Sequence, residues 1–199
     1  MHYSNQDLVR QAWNILDFKK IIFGILATII VGMISGIPNS MDPRFGGLVS
    51  LLTSGAFGVG MAVFYLNIAR GGEPIIEQIF DGFKNYIPAL LTSLLMFIIV
   101  GIGFMCLIVP GIILGLGLSQ TYFILAEDKN IQAVDALKKS WDMMDGYKMK
   151  YFLLCLLYFL LILAGLLCFF VGIFVVIPLI QTSNAVFYEK LKAGELYKV

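Results

Sequence analysis

The chain has 199 residues, of which 59% are hydrophobic and 14% charged, with 14 Lys and Arg against 13 Asp and Glu. A soluble domain carries roughly 45–50% apolar and about 25% charged residues, so this surplus is too large for one water-soluble core and the chain reads as a polytopic membrane protein. The near-zero charge balance, with no basic stretch interleaved with aromatic residues, excludes nucleic acid as a partner class.

A membrane span needs about 20 mostly apolar residues. Six stretches meet that need. A short polar helical segment carrying Trp13 comes first, and the spans then run from Ile21 to Ile37, Phe45 to Ala69, Tyr86 to Val109, Gly111 to Ala126, Tyr151 to Phe170 and Val171 to Tyr188. The first is read as a retained helix and not a signal peptide, because the polar segment precedes it and no small-residue cleavage site follows Gly36 and Ile37. The third and fourth meet at Val109-Pro110-Gly111, and the fifth and sixth around Phe169 to Gly172, which predicts two tight hairpins. Pro110 suits the first turn of a helix, where its missing N–H costs nothing, whereas Pro178 lies deeper and predicts a kink.

The second span carries Gly46, Gly47, Ser50, Ser54, Gly55, Ala56, Gly58 and Gly60, and the fourth carries Gly111, Gly115 and Gly117, whereas the fifth has only Ala164 and Gly165. Small residues let helix backbones approach closely where lipid supplies no hydrophobic drive, so the even spans are expected to pack inside and the odd ones to face lipid. The GxxxG spacings at Gly32–Gly36 and Gly111–Gly115 are read as internal packing. With six spans, thirteen of the fourteen basic residues fall on one side and only Arg44 on the other. The positive-inside bias then puts both termini in the cytoplasm, and a bacterial cytoplasmic membrane is the expected location.

Three segments on the basic side superpose at an offset of 64 residues: AWNILDFKK, IEQIFDGFK and SWDMMDGYK. Asp17, Asp81 and Asp145 coincide, as do Lys20, Lys84 and Lys148; Trp13 and Trp141 match, with Glu77 the exception. One all-α membrane domain spanning residues 1–199 is therefore expected, built as three tandem units of a short amphipathic helix and a helical hairpin, at about 5–70, 71–127 and 128–190. The short helices carry apolar faces, Leu8, Ala12, Ile15 and Leu16 in the first and Ile131, Val134, Leu137, Trp141 and Met144 in the third. They are expected to lie at the membrane interface, or to dock a partner through Trp13, Leu137, Trp141 and Met144.

No Asp, Glu, Lys, Arg or His falls in the middle of a span, which removes the usual mark of proton relays and coupled transport. What remains there is uncharged, and Asn67, Gln120, Gln181 and Asn184 form the candidate polar cluster, either as a hydrated vestibule or as interhelical hydrogen bonds worth about 0.6 kcal/mol each. The carboxylates Asp81, Glu127, Asp128, Asp142 and Asp145 sit where short helices end and spans begin, a capping position, with no nucleophile or base beside them. No catalytic residue is expected. Cys106, Cys155, Cys168 and the single His2 supply no zinc or haem constellation, so no metal site and no cofactor is expected either, although a Cys106–Cys168 disulfide is open.

The stretch from Ile75 to Lys190, with IIEQIFDGFKNY, VPGII at 109–113 and ALKKSWDMMDGYKMKYFLL at 136–154, resembles a bacterial family of small integral membrane proteins of uncharacterised function. That family is similar to the membrane domain joined to some glycerophosphodiester phosphodiesterases. The resemblance implies a six-helix fold and transfers no catalytic residue, since the phosphodiesterase chemistry would belong to a separate soluble domain that this sequence does not carry. The expected function is a non-enzymatic accessory or scaffolding subunit, or a modulator of membrane properties, in contact with membrane lipids and with a protein partner on the cytoplasmic face. The alternative is a carrier or channel for a lipid or small polar solute through the Gln and Asn cluster.

Overall fold

The computed structural model describes residues 3–41, 43–167 and 171–196. The pairing of Cys106 with Cys168 and the turn between the fifth and sixth spans fall on residues outside that set. The described residues form helices and no strand: α1 Asn5–Ile15, α2 Phe18–Met41, α3 Pro43–Ala69, a 3-10 segment Ile76–Asn85, α4 Tyr86–Cys106, α5 Ile108–Gly117, α6 Thr121–Glu127, α7 Ala133–Met143, α8 Lys148–Leu167 and α9 Val171–Lys192. Six stretches among them are long and apolar enough to cross a membrane: Phe18–Gly36, Val49–Ala69, Ile76–Cys106, Ile108–Glu127, Lys148–Leu167 and Gly172–Lys192. The protein is an all-α, multi-pass membrane protein. Burial follows the small residues, since 50, 44 and 44% of the even spans is covered by protein against 11, 22 and 28% of the odd ones.

Backbone contacts divide the chain into two units, and the division cuts across the expected tandem boundaries. The first unit combines Met1–Leu26, Phe64–Ile75 and Gly146–Val199. α1 opens on a capping box in which Ser4 Oγ accepts from the Asp7 amide and Asp7 Oδ2 accepts from the Ser4 amide at 2.9 Å, and it buries Leu8 and Ala12 against α9. Lys150 Nζ donates to the Tyr3 carbonyl at 2.6 Å and Asn5 Nδ2 to the Lys150 carbonyl at 3.0 Å, tying the start of the chain to α8. The ends of α3 and α9 are alike. Both carry the run Ala-Val-Phe-Tyr, at 62–65 and 185–188, and the four rings Phe64, Tyr65, Phe187 and Tyr188 are buried. Both helices then stop on a left-handed glycine, Gly71 and Gly194, whose amides donate to Ile68 and Leu191, while the next amides donate to Asn67 and Lys190. This 6→1, 5→2 pattern satisfies the last carbonyls and needs positive φ, which glycine adopts without a Cβ penalty. The Pro178 ring packs on Gly24 of α2, and α9 continues as helix through the proline.

The second unit combines Ala27–Val63 and Ile76–Asp145. Its close approaches are backbone to backbone: a Cβ on Gly55 would strike the Ala89 carbonyl, one on Gly60 the Ile79 carbonyl, and one on Gly82 the Ala56 carbonyl. The 3-10 segment therefore lies along Ala56–Gly60, halfway down the second span, with Phe57 edge-on to Phe83 at 5.1 Å. Gly111 packs against Phe104, in line with the sequence reading, whereas a Cβ on Gly32, Gly36 or Gly115 would meet nothing within 4 Å among the described residues.

The fourth span differs from the continuous helix expected of Gly111 to Ala126. It is interrupted at Leu118–Gln120, between α5 and α6. Gly115, Gly117 and Ser119 are poor helix formers, and the Ser119 and Thr121 hydroxyls donate to the carbonyls of Leu116 and Leu118, offering the backbone a local alternative to the helix.

Gly60→Ala and Gly82→Ala are expected to lower stability by about 1–3 kcal/mol through overpacking, while Gly32→Ala and Gly115→Ala leave it unchanged or raise it slightly. Thermal melting of the four variants in one detergent distinguishes the two pairs.

Candidate functional site

The four polar candidates divide between the units. Asn67, Gln181 and Asn184 belong to the first and Gln120 to the second. Asn67 Nδ2 turns to the Glu73 carbonyl at 2.6 Å, closing the loop after α3. Asn184 Oδ1 accepts from Tyr151 Oη at 3.2 Å, the neighbouring Ser183 accepts from Tyr158 Oη at 2.8 Å, and Gln181 is half-buried on α9. Gln120 is fully buried, and its Nε2 donates to Ser119 Oγ at 2.9 Å. Its Oε1 accepts nothing, as do the buried hydroxyls of Thr92 and Thr182.

The break in the fourth span is held by one side chain from α7. Ser140 Oγ accepts from the Gln120 amide at 3.2 Å and donates to the Gly117 carbonyl at 2.9 Å, so a single hydroxyl replaces both halves of the interrupted backbone ladder. In α1 the residue 128 positions earlier is Ala12, and the α9 span beside it runs unbroken. The correspondence of α1 and α7 extends to their bounds, their N-caps Ser4 and Gln132, and their C-caps Leu16 and Met144, all 128 residues apart.

The same correspondence defines two grooves. In the first unit a groove of about 460 Å³ is lined by Gln6, Asp7, Val9, Arg10 and Trp13 of α1, by Leu157 and Leu161 of α8, and by Leu179 of α9. In the second unit a groove of about 400 Å³ is lined by Val134, Leu137, Lys138 and Trp141 of α7, by Leu95 and Ile99 of α4, and by Leu114 and Leu118 of the fourth span. Gln6, Val9, Arg10 and Trp13 are the counterparts of Val134, Leu137, Lys138 and Trp141 at that offset. Leu157 and Leu95 are each the tenth residue of their helix, and Leu161 and Ile99 each the fourteenth. A basic residue and a tryptophan one turn apart thus stand over a wall of branched aliphatic side chains in both units.

Three of the four residues proposed for the partner face, Trp13, Leu137 and Trp141, line these grooves. Met144 is fully buried and Leu137 is largely covered, whereas Trp13 is 52% exposed. Arg10, Lys138 and the four wall residues on α8 and α4 were not singled out from sequence; the signal was present in the 128-residue offset, which aligns Arg10 with Lys138 as it aligns the tryptophans.

The carboxylates at this face are engaged locally. Hydrogen bonds from Ser4 hold the Asp7 carboxyl below the ordinary carboxylate range, and the ammonium of Lys19, 2.5 Å away, does the same for Glu73. Arg70 pairs with Glu189 and Lys84 with Asp81. Among the described residues no group of three or more His, Cys, Asp or Glu side chains converges as a metal would require.

A family model described as Protein of unknown function (DUF975) matches residues 100–195, from within α4 to just beyond α9. The chain is similar to that family over just under half its length. No curated protein and no solved structure matches the chain.

Ser140→Ala is expected to cost about 1–3 kcal/mol, because it leaves a buried amide and a buried carbonyl unpaired. Ser140→Thr, which keeps the hydroxyl, should recover part of that loss in the same melting assay. Asp7 gives a pH dependence of known sign. Its folded pKa lies below its unfolded one, so its contribution to the α1 capping box is complete at neutral pH and is lost as pH falls below about 4. Amide exchange of α1 against pH should show this weakening, and Ser4→Ala should flatten it.

Proposed function

We propose that the protein is a non-enzymatic component of the bacterial cytoplasmic membrane, with both termini in the cytoplasm, acting as an accessory or scaffolding subunit or as a modulator of membrane properties. The observation that carries this reading is the recurrence of one groove, with the same short-helix positions, in two separate units. A surface repeated in this way is built for contact. The buried polar residues support the same view, since Ser140, Asn184 and Ser183 are engaged in holding helices together, and among the described residues no nucleophile with an attendant base accompanies them. Triplication of a short helix plus hairpin is supported by the matching bounds of α1 and α7 and by the matching ends of α3 and α9. Kinship with the membrane domain of glycerophosphodiester phosphodiesterases rests on the sequence resemblance, and it fits a role that assists chemistry carried out elsewhere.

A second reading, a carrier or channel for a lipid or small polar solute, draws on the broken fourth span and the unpartnered Gln120 Oε1. Irregular backbone at membrane depth is tolerated where protein covers it or where it lines a cavity.

Proteoliposomes separate these readings. The expected outcome is that lipid composition by mass spectrometry stays unchanged over hours while the packing of the bilayer, read by an environment-sensitive dye, shifts with protein content. Appearance of a new lipid species would sink the non-enzymatic reading. Solute uptake or lipid scrambling that is abolished by Gln120→Leu together with Gln181→Leu would instead establish the carrier.

A further inference from the structure

We propose that each groove holds one membrane glycerophospholipid, with the phosphate against Arg10 or Lys138, the glycerol region beside Trp13 or Trp141, and one acyl chain along the aliphatic wall. This assignment rests on the reading of the grooves as contact surfaces and names what they contact.

The walls argue for an acyl chain. Leu157 and Leu95 lie roughly 14 Å, and Leu161 and Ile99 roughly 20 Å, along their helices from the first residue, at about 1.5 Å per residue. Those helices are membrane spans, so the medium at the open side of each groove is lipid, and a slot of leucine and isoleucine at that depth excludes water and polar solutes. The volumes, about 460 and 400 Å³, fall within the range of small-ligand pockets.

The lip argues for a phosphate. Arg10 and Lys138 are exposed, and neither forms an ion pair among the described residues. Asp7 shares the first lip and Asp135 stands at the same position in α7, but Asp7 is turned back to cap its own helix through Ser4. Arg10 is near enough to act on the Asp7 carboxyl, but the hydrogen bonds of that carboxyl come from Ser4, and both cations stand exposed one helical turn from a tryptophan of the kind that sits at headgroup level. The middle copy is a natural control. Where Arg10 and Lys138 stand, the offset places Pro74, and where the tryptophans stand it places Glu77; no basic residue and no indole occupies that lip. A partner protein's helix would be served by any apolar stripe, whereas retention of a cation and an indole together at two lips matches a lipid phosphate at the interface.

The test is native mass spectrometry of the full chain released from nanodiscs of phosphatidylcholine containing a minor share of phosphatidylglycerol. Wild type is expected to retain one phospholipid per groove. Arg10→Ala should weaken retention at one groove about fivefold and Lys138→Ala at the other, the weight of one basic group near a lipid surface, about 1 kcal/mol. Leu161→Trp and Ile99→Trp, which fill the walls, should each remove one bound lipid, with the melting temperature of every variant recorded as the folding control. Unchanged retention in Arg10→Ala/Lys138→Ala and in Leu161→Trp/Ile99→Trp, with both variants folded, would overturn the assignment. So would photo-crosslinks from positions 13 and 141 that reach a second copy or another protein and no lipid. Chemical conversion of the added lipids would strike the non-enzymatic reading alone and leave groove occupancy standing, so the two failures are distinguishable.

Discussion

A helix interrupted inside a membrane-spanning segment frees backbone groups that lipid cannot satisfy, and the placement of α7 in the second unit follows from how Ser140 meets that demand. Unpaired backbone at this depth costs several kcal/mol per group. One hydroxyl takes the Gln120 amide and gives to the Gly117 carbonyl, and it reaches them only because α7 folds back along α6. That placement brings Val134, Leu137 and Trp141 over α4 and the fourth span. The groove is thus a consequence of repairing the break, and its position is as well determined as the two hydrogen bonds.

The first unit reaches the same arrangement by another route. α9 is unbroken, Ala12 replaces the bridging serine, and α1 is held instead by its capping box and by Tyr3 and Asn5 on Lys150. Two different means of fixing a short helix produce one set of lining positions. The two grooves share four short-helix positions and two wall positions although the contacts that support the short helices differ.

The spans were legible because hydrophobic length is a strong signal and because small residues report close backbone approach; Gly55 and Gly60 on the second span do meet neighbouring carbonyls. Gly32 and Gly115 carry the same letter and meet nothing, since a GxxxG spacing says that approach is possible and not that a helix has arrived. The interruption at Leu118–Gln120 was hidden by hydropathy, which does not register a hydroxyl bonding back to a carbonyl three residues earlier. Asn67 was grouped with the span polar residues because it follows an apolar run, yet the left-handed Gly71 just beyond it turns the chain, and its amide closes that loop. Met144 matched the apolar face of the short helix but sits at its C-cap, where the chain turns and covers it.

The segment that aligns with α1 and α7 at the 64-residue offset differs from both. As a 3-10 helix it packs backbone against backbone on the second span through Gly60 and Gly82. Pro74 and Glu77 stand where a cation and an indole stand in the other two. That segment therefore carries neither the cation nor the indole that lines the two grooves. Asp81 and Lys84 coincide at that offset with Asp17 and Lys20 and with Asp145 and Lys148, as residues that end a short helix and begin a span should. Two sets of residues thus vary independently along one chain, since the Asp and Lys columns recur in all three segments and the cation with the tryptophan only in the two that line a groove.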